Sequence, residues 1–200
     1  MTGKQEGEPT VSDMRVRDLI EGVGAETPAP GGGAVASVAA ALAAALLRMT
    51  SSYSVEMDEG PEHDEGRLDR IRQVSHRLLE LAEEDRRAYE GYQDVRSDEQ
   101  ADESEEVEAL VRSTEVPLEM HGCCVELVVH YSNFRDRIKT AFQADVDTAV
   151  SLLKVTLDTA EELVEYNIRE LPDGPSREKL RQALASQKTE LEELQATIDS

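Results

Sequence analysis

Three consecutive glycines after a proline, Pro30-Gly31-Gly32-Gly33, open a run of small apolar residues in the stretch TPAPGGGAVASVAAALAAALLRM, Thr27 to Met49. A helix that begins on glycine gives up about 1 kcal/mol per residue of propensity against alanine, so these glycines need a reason. One reason is chemical. The first-turn N–H groups of a helix are unpaired, point outward and carry the positive end of its dipole, which makes them a receptor for a carboxylate or phosphate. The other is steric: Pro28 and Pro30 set a sharp bend, and glycine lets a neighbouring helix crowd in. Spacing alone leaves both open.

The remaining candidates are polar residues on otherwise apolar helices: Asp85 in AEEDRRAYEGY, Glu115 and Glu119 in TEVPLEM, Asp145 in FQADVDTAV and Asn167 in VEYNIREL. Each alone reads as a surface or capping residue. Asp145 and Asn167 are 22 positions apart, about six helical turns, so they mark opposite ends of one helix or meet copies from a partner subunit. No metal motif is present, since there is no CxxC pair and no two histidines stand at helical ligand spacing. His63 and His76 read as exposed, and His121 and His130 flank Cys123 and Cys124. Adjacent cysteines on one helix do not bridge. With no signal peptide in the sequence, a reducing cytoplasm is expected.

The elements that must position these groups are helical. Apolar residues recur at spacings of three and four, with no Trp and only two Phe, which predicts an all-α bundle of long antiparallel helices. Residues 1–10 read as a disordered tail and 11–200 as one domain. Ser12 or Thr10 is expected to cap a first helix that carries Met14, Val16, Leu19 and Ile20 and ends near Gly22. From Ala34 to Leu47 there are 14 uncharged residues, about 21 Å of helix against the roughly 30 Å of a bilayer core. That segment is therefore expected as a buried helix, not a membrane span. Gly60, Pro61 and Gly66 predict breaks in a polar segment over 54–65. Helices are then expected over 67–96, over 107–131 with a break or kink at Pro117, over 142–169, and from a Ser176 cap to about 198.

Charge narrows the partners. The formal charge is −22, with seven acids and no base between Ser97 and Glu108, a solvated face rather than a site. Such a field repels phosphate, so neither nucleic acid nor an anionic membrane is an expected partner. Abundant acids with few lysines fit a halophilic protein, for which charge repulsion is screened within about 3 Å at 1 M salt.

The order of these segments, the Pro-Gly-Gly-Gly loop with its small-residue helix, then DRRAY, then STEVPLEM, then an Asp-led long helix ending near an Asn, resembles the cyclodeaminase/cyclohydrolase family. The resemblance runs from about Ser12 onward. It implies an all-α, dimeric protein acting on one-carbon units of tetrahydrofolate. It further implies that Pro30, Gly31, Gly32, Gly33 and Asn167 bind the folate and that Asp85 and Asp145 are catalytic, with a tetrahydrofolate derivative as substrate and no metal. Carboxylates suit a cationic adduct, as stabilisers or as a general base for water. Stand-alone 5,10-methenyltetrahydrofolate cyclohydrolase is the first expectation, because no formiminotransferase domain is attached. The cyclodeaminase, or a non-catalytic folate-binding or oligomerising homologue, is the alternative. Two departures bear on turnover: Ala34 stands where the family has Ser after the glycines, and KTAFQA precedes Asp145 in place of the family's Asn and Ser.

Overall fold

The computed structural model describes residues 10–27, 29–54 and 61–199, with side chains undescribed at 61–64 and 195–199. Residues 1–9 of the expected tail and the bend at Pro28 lie outside these residues, as does the exposure expected of the His63 side chain, whose backbone belongs to a helix rather than a loop. Among the described residues six α-helices follow in order: α1 (Val16–Val23), α2 (Gly32–Ser54), α3 (Pro61–Ser97), α4 (Glu103–Phe134), α5 (Gln143–Glu170) and α6 (Pro175–Asp199). Among the described residues there is no strand, as the all-α expectation requires.

Four of these helices close a ring. α2 packs on α3 and α5, and α4 packs on the same two from the other side, while α6 lies mainly on α4. Interhelical pairings give the directions. The Ser37 hydroxyl donates to Leu78 O and the Ser75 hydroxyl to Ala41 O, so α2 and α3 run antiparallel. Arg70 with Glu126 and Arg77 with Glu119 set the same relation for α3 and α4. Thr156 donates to Ala36 O across α5 and α2. Side-chain bonds to a neighbouring helix backbone need close axes, which the alanines of α2 permit. The core they enclose includes Ile71, Leu78, Leu81, Met120, Leu127 and Leu153, all essentially without solvent exposure.

Several expectations need correction. α3 begins at Pro61, where the missing N–H costs nothing in a first turn, so Pro61 and Gly66 start and join a helix rather than break one. α6 likewise begins at Pro175, with Ser176 inside it and not capping it. α1 is capped by neither Thr10 nor Ser12. Its N-cap is Arg15, and Thr10 to Asp13 form a separate short turn. The acidic stretch supplies the start of α4, where Asp102 and Glu105 make a reciprocal capping box. Pro117 does not interrupt α4, for a reason given below.

The length argument about the Ala-rich segment also fails. α2 has 23 residues and mean hydropathy 1.7 over its most apolar window, long and apolar enough to cross a membrane, but half of that window is buried inside the bundle. Its outward side carries Val35, Leu42 and Tyr53, and α1 adds Val16 and Ile20, all well exposed.

Candidate active site

The N-terminus of α2 lies at one end of the ring, beside the second half of α3. Here Asp85 reaches under the glycine loop. A Cβ built on Gly33 would stand 2.3 Å from Asp85 Oδ1 and 2.6 Å from its Cγ, distances no side chain tolerates. Gly32, one position earlier, has nothing within 4 Å. Glycine at 33 thus leaves room for the Asp85 carboxyl, which a side chain there would push aside and which accepts a hydrogen bond from the backbone N–H of Ala34.

This resolves the two readings of the glycines. The loop is crowded, and what crowds it is an anion of the chain itself, held at the helix start where the dipole favours negative charge. The amide donors of the first turn are therefore not all bare. The Ala34 donor is taken by Asp85, and Val35 N–H bonds to Gly31 O. Ala34 is fully buried against Val11 and Ala82, so a hydroxyl at this position would sit among apolar groups. The Val11 N–H donates to Glu83 at 3.2 Å, which ties the N-terminal segment to α3 two residues before Asp85. On the other side Gly22 at the end of α1 rests on the Pro30 ring.

In front of the Asp85 carboxyl is a cavity of about 290 Å³. Ala29, Gly31, Gly32 and Gly33 form one wall, Asp85 and Tyr89 another, and Ser113 and Pro117 of α4 with Leu163, Tyr166 and Asn167 of α5 complete it. Asp85 is the one charged side chain among these. Burial pushes its carboxyl up from 3.8 to about 6, and the Ala34 N–H offsets this only in part.

Pro117 and Asn167 explain one another. A proline at 117 cannot donate to the carbonyl four residues back, which is that of Ser113. The Asn167 side chain donates to Ser113 O at 3.2 Å instead. The helix continues because an amide from α5 replaces the missing partner, and the same bond fixes Asn167 at the cavity wall with its oxygen available as an acceptor.

Of the residues singled out from sequence, the structure brings Gly31, Gly32, Gly33, Asp85 and Asn167 to one cavity, whereas Pro30 is not part of its lining and turns its ring to Gly22 of α1. It does not bring Asp145. That residue lies in the first turn of α5, about 33 Å of helix from Asn167 at 1.5 Å per residue. Around it is the opposite end of the bundle, where Tyr53 stacks on Phe142 at 5.2 Å and Lys139 N–H donates to the Ser54 hydroxyl. Glu119 is held by Arg77, and Glu115 is exposed. His76 is exposed, whereas His121 is buried and bonded to Gln187. Both cysteines are free thiols, and burial raises Cys123 to about 11. Sequence reasoning missed Tyr89, Ser113, Pro117, Leu163 and Tyr166. Two of them had a signal, since Tyr89 is four residues after Asp85 on the same helix face and Ser113 precedes an in-helix proline by four.

The sequence profile of the formiminotransferase-cyclodeaminase family matches residues 15–186. The chain belongs to that family. Its fold is similar to the crystal structure of formiminotetrahydrofolate cyclodeaminase from Thermotoga maritima, with a TM-score of 0.80 at 24% identity over 92% of this chain and 93% of that one. No curated protein matches the chain. The family match spans every element that lines the cavity, from the glycine loop of α2 to the Tyr166–Asn167 pair of α5.

Proposed function

We propose that this member of the formiminotransferase-cyclodeaminase family closes 5-formiminotetrahydrofolate to 5,10-methenyltetrahydrofolate with release of ammonia, and that Asp85 carries the protons. The observation that carries this reading is a lone carboxyl, raised to about 6, at the inner wall of an otherwise uncharged cavity. The reaction needs one group that accepts and then donates a proton near neutrality. As N10 attacks the protonated formimino carbon, the Asp85 carboxylate takes the N10 proton. The same proton, given to the amino nitrogen of the tetrahedral adduct, lets it leave as ammonia. Charge balances: an amidinium cation enters, a methenyl cation and neutral ammonia leave, and Asp85 returns ionised. The cation formed faces a carboxylate, which favours it electrostatically.

Tyr89 and Tyr166 flank the cavity and are partly exposed, suiting them to hold flat rings. The Asn167 oxygen and the N–H groups of Gly32 and Gly33, which have no partner among the described residues, are the polar contacts for the pterin edge or the glutamate carboxylates. Hydrolysis of the methenyl bridge, the reaction expected first from sequence, is the second reading. It would use the same carboxylate to activate water, and membership of the formiminotransferase-cyclodeaminase family is what supports ranking ammonia release first.

The exposed apolar side chains of α1 and α2 support a homodimer formed on that face, because two chains of charge −22 can meet only where charge is sparse. A second copy is also the one route by which Asp145 could enter this cavity. Purified protein is to be given formiminotetrahydrofolate and methenyltetrahydrofolate in separate assays, with ammonia and methenyl absorbance followed. Ammonia release from the first, lost in Asp85→Asn, is expected. Turnover of the methenyl compound alone would shift the assignment to hydrolysis, and turnover of neither would end it.

A further inference from the structure

Because α6 lies on α4 and touches α5 only lightly, a groove of about 510 Å³ stays open between α5 and α6. Arg177, Arg181 and Lys188 line it at positions four and seven apart on α6, which puts them on one helix face, and Arg169 faces them from α5. Two carboxylates, Glu165 and Glu192, share the lining. On a chain with 43 acids and 21 bases, four of the bases gather in this one concavity, with Asp173, Glu178 and Glu161 pairing with three of them.

The cations are weakly engaged. Arg177 Nη1 pairs at 2.6 Å with Asp173, whose side chain is 98% exposed, and Arg181 pairs with Glu178 at 3.2 Å on the open surface. Exposed pairs of this kind contribute about 0–1 kcal/mol, so a ligand can replace them. Arg169 lies over the Tyr166 ring at 5.9 Å. Lys188 is held by Glu161, with Glu165 at 3.6 Å. Most telling, Arg177 Nε is buried and has no hydrogen-bond partner among the described residues. A buried unpaired donor costs about 1–3 kcal/mol, a cost that is relieved when the guanidinium turns towards an oxyanion in the groove.

The geometry points to a second binding site in this groove, for a compact multivalent oxyanion, phosphoryl or carboxylate, gripped by the Arg177 and Arg181 guanidinium groups. Guanidinium forks match both oxyanion types. The net charge of the molecule repels anions at range, but at 0.15 M salt that field decays over about 8 Å, leaving the competition between an incoming oxyanion and the exposed Asp173 and Glu178 carboxylates for the two guanidinium groups to decide. Nothing in this site depends on the folate reading.

Calorimetric titration of the full chain at 0.15 M salt with tripolyphosphate and with citrate tests it. One-to-one binding of either probe is expected, and which probe binds distinguishes a phosphoryl from a carboxylate ligand. Arg177→Gln and Arg181→Gln should each weaken binding about tenfold, the loss of one charge-assisted bond, while Arg112→Gln on α4 should leave it unchanged. If circular dichroism shows Arg177→Gln to be misfolded, Arg181→Gln and Arg169→Gln decide. No binding of either probe to the wild type, or equal affinity in the groove variants, overturns the site.

Discussion

The two ends of the helix ring carry an acid each, Asp85 at one and Asp145 at the other, and they have little else in common. Asp85 is drawn under the start of α2, bonded to the Ala34 amide, and faces a cavity closed by three other helices. Asp145 sits in the first turn of its own helix, where a carboxylate has an ordinary task in complementing the dipole. An acid becomes chemically useful when neighbouring elements strip its water and leave it a single partner. Identical residue types on similar helices are separated by that alone.

The largest expected effect is Asp85→Asn. Ammonia release should fall by about 10²- to 10⁴-fold, the range for loss of a general acid–base group. The same change should stabilise the fold. Asp85 has a folded value raised above its unfolded one, so its contribution is fully present below about pH 4 and is lost as pH rises to about 6. At pH 7.5 the variant should therefore be more stable than the wild type by about 1–3 kcal/mol, with the gap closing near pH 4, as thermal unfolding at both pH values would show. A variant less stable at every pH would mean that Asp85 is a structural anchor instead.

Next is Gly33→Ala. Its methyl group must displace the carboxyl, for an expected loss of about 10²-fold in turnover. Gly32→Ala meets nothing and should keep turnover within a few fold while adding about 1 kcal/mol of helix propensity. Equal effects at 32 and 33 would break the link between the glycines and Asp85. Asn167→Ala leaves the Ser113 carbonyl unpaired behind Pro117 and should cost about 1–3 kcal/mol in urea unfolding, together with a rise in KM.

Smallest is Asp145→Asn, expected to change turnover by no more than about twofold and stability by about 0.5 kcal/mol. A loss comparable to that of Asp85→Asn would show that a second copy supplies Asp145 to the cavity. The comparison between the two ends would then have to be redrawn across a dimer.

The helices were legible because their signals are local. Periodicity placed α5 to within a residue, and the glycine loop announced α2. What failed also had a local form: Pro61 read as a breaker and Ser176 as the cap of α6, where Pro61 and Pro175 in fact open their helices, because proline starts and stops helices with the same residue, and only the preceding chain tells which. Pro117 looked like a kink because its compensating partner, Asn167, is 50 residues away. The same limit governs the site. Asp85 and Asn167 were recognisable as polar residues out of place, yet their union in one cavity depends on how α3, α4 and α5 stack. The aromatic walls at Tyr89 and Tyr166 looked like any other half-buried tyrosines.

The central claim is that Asp85 exchanges protons with the substrate at the helix start of α2. Its most direct test is the pH dependence of kcat/KM for ammonia release in the wild type and Asp85→Asn. The account predicts a rate that climbs with pH through about 6 as the carboxyl ionises, and a variant that is slow and has lost that limb. A wild-type profile flat across this range, or an Asp85→Asn enzyme that retains the limb and the rate, would contradict it.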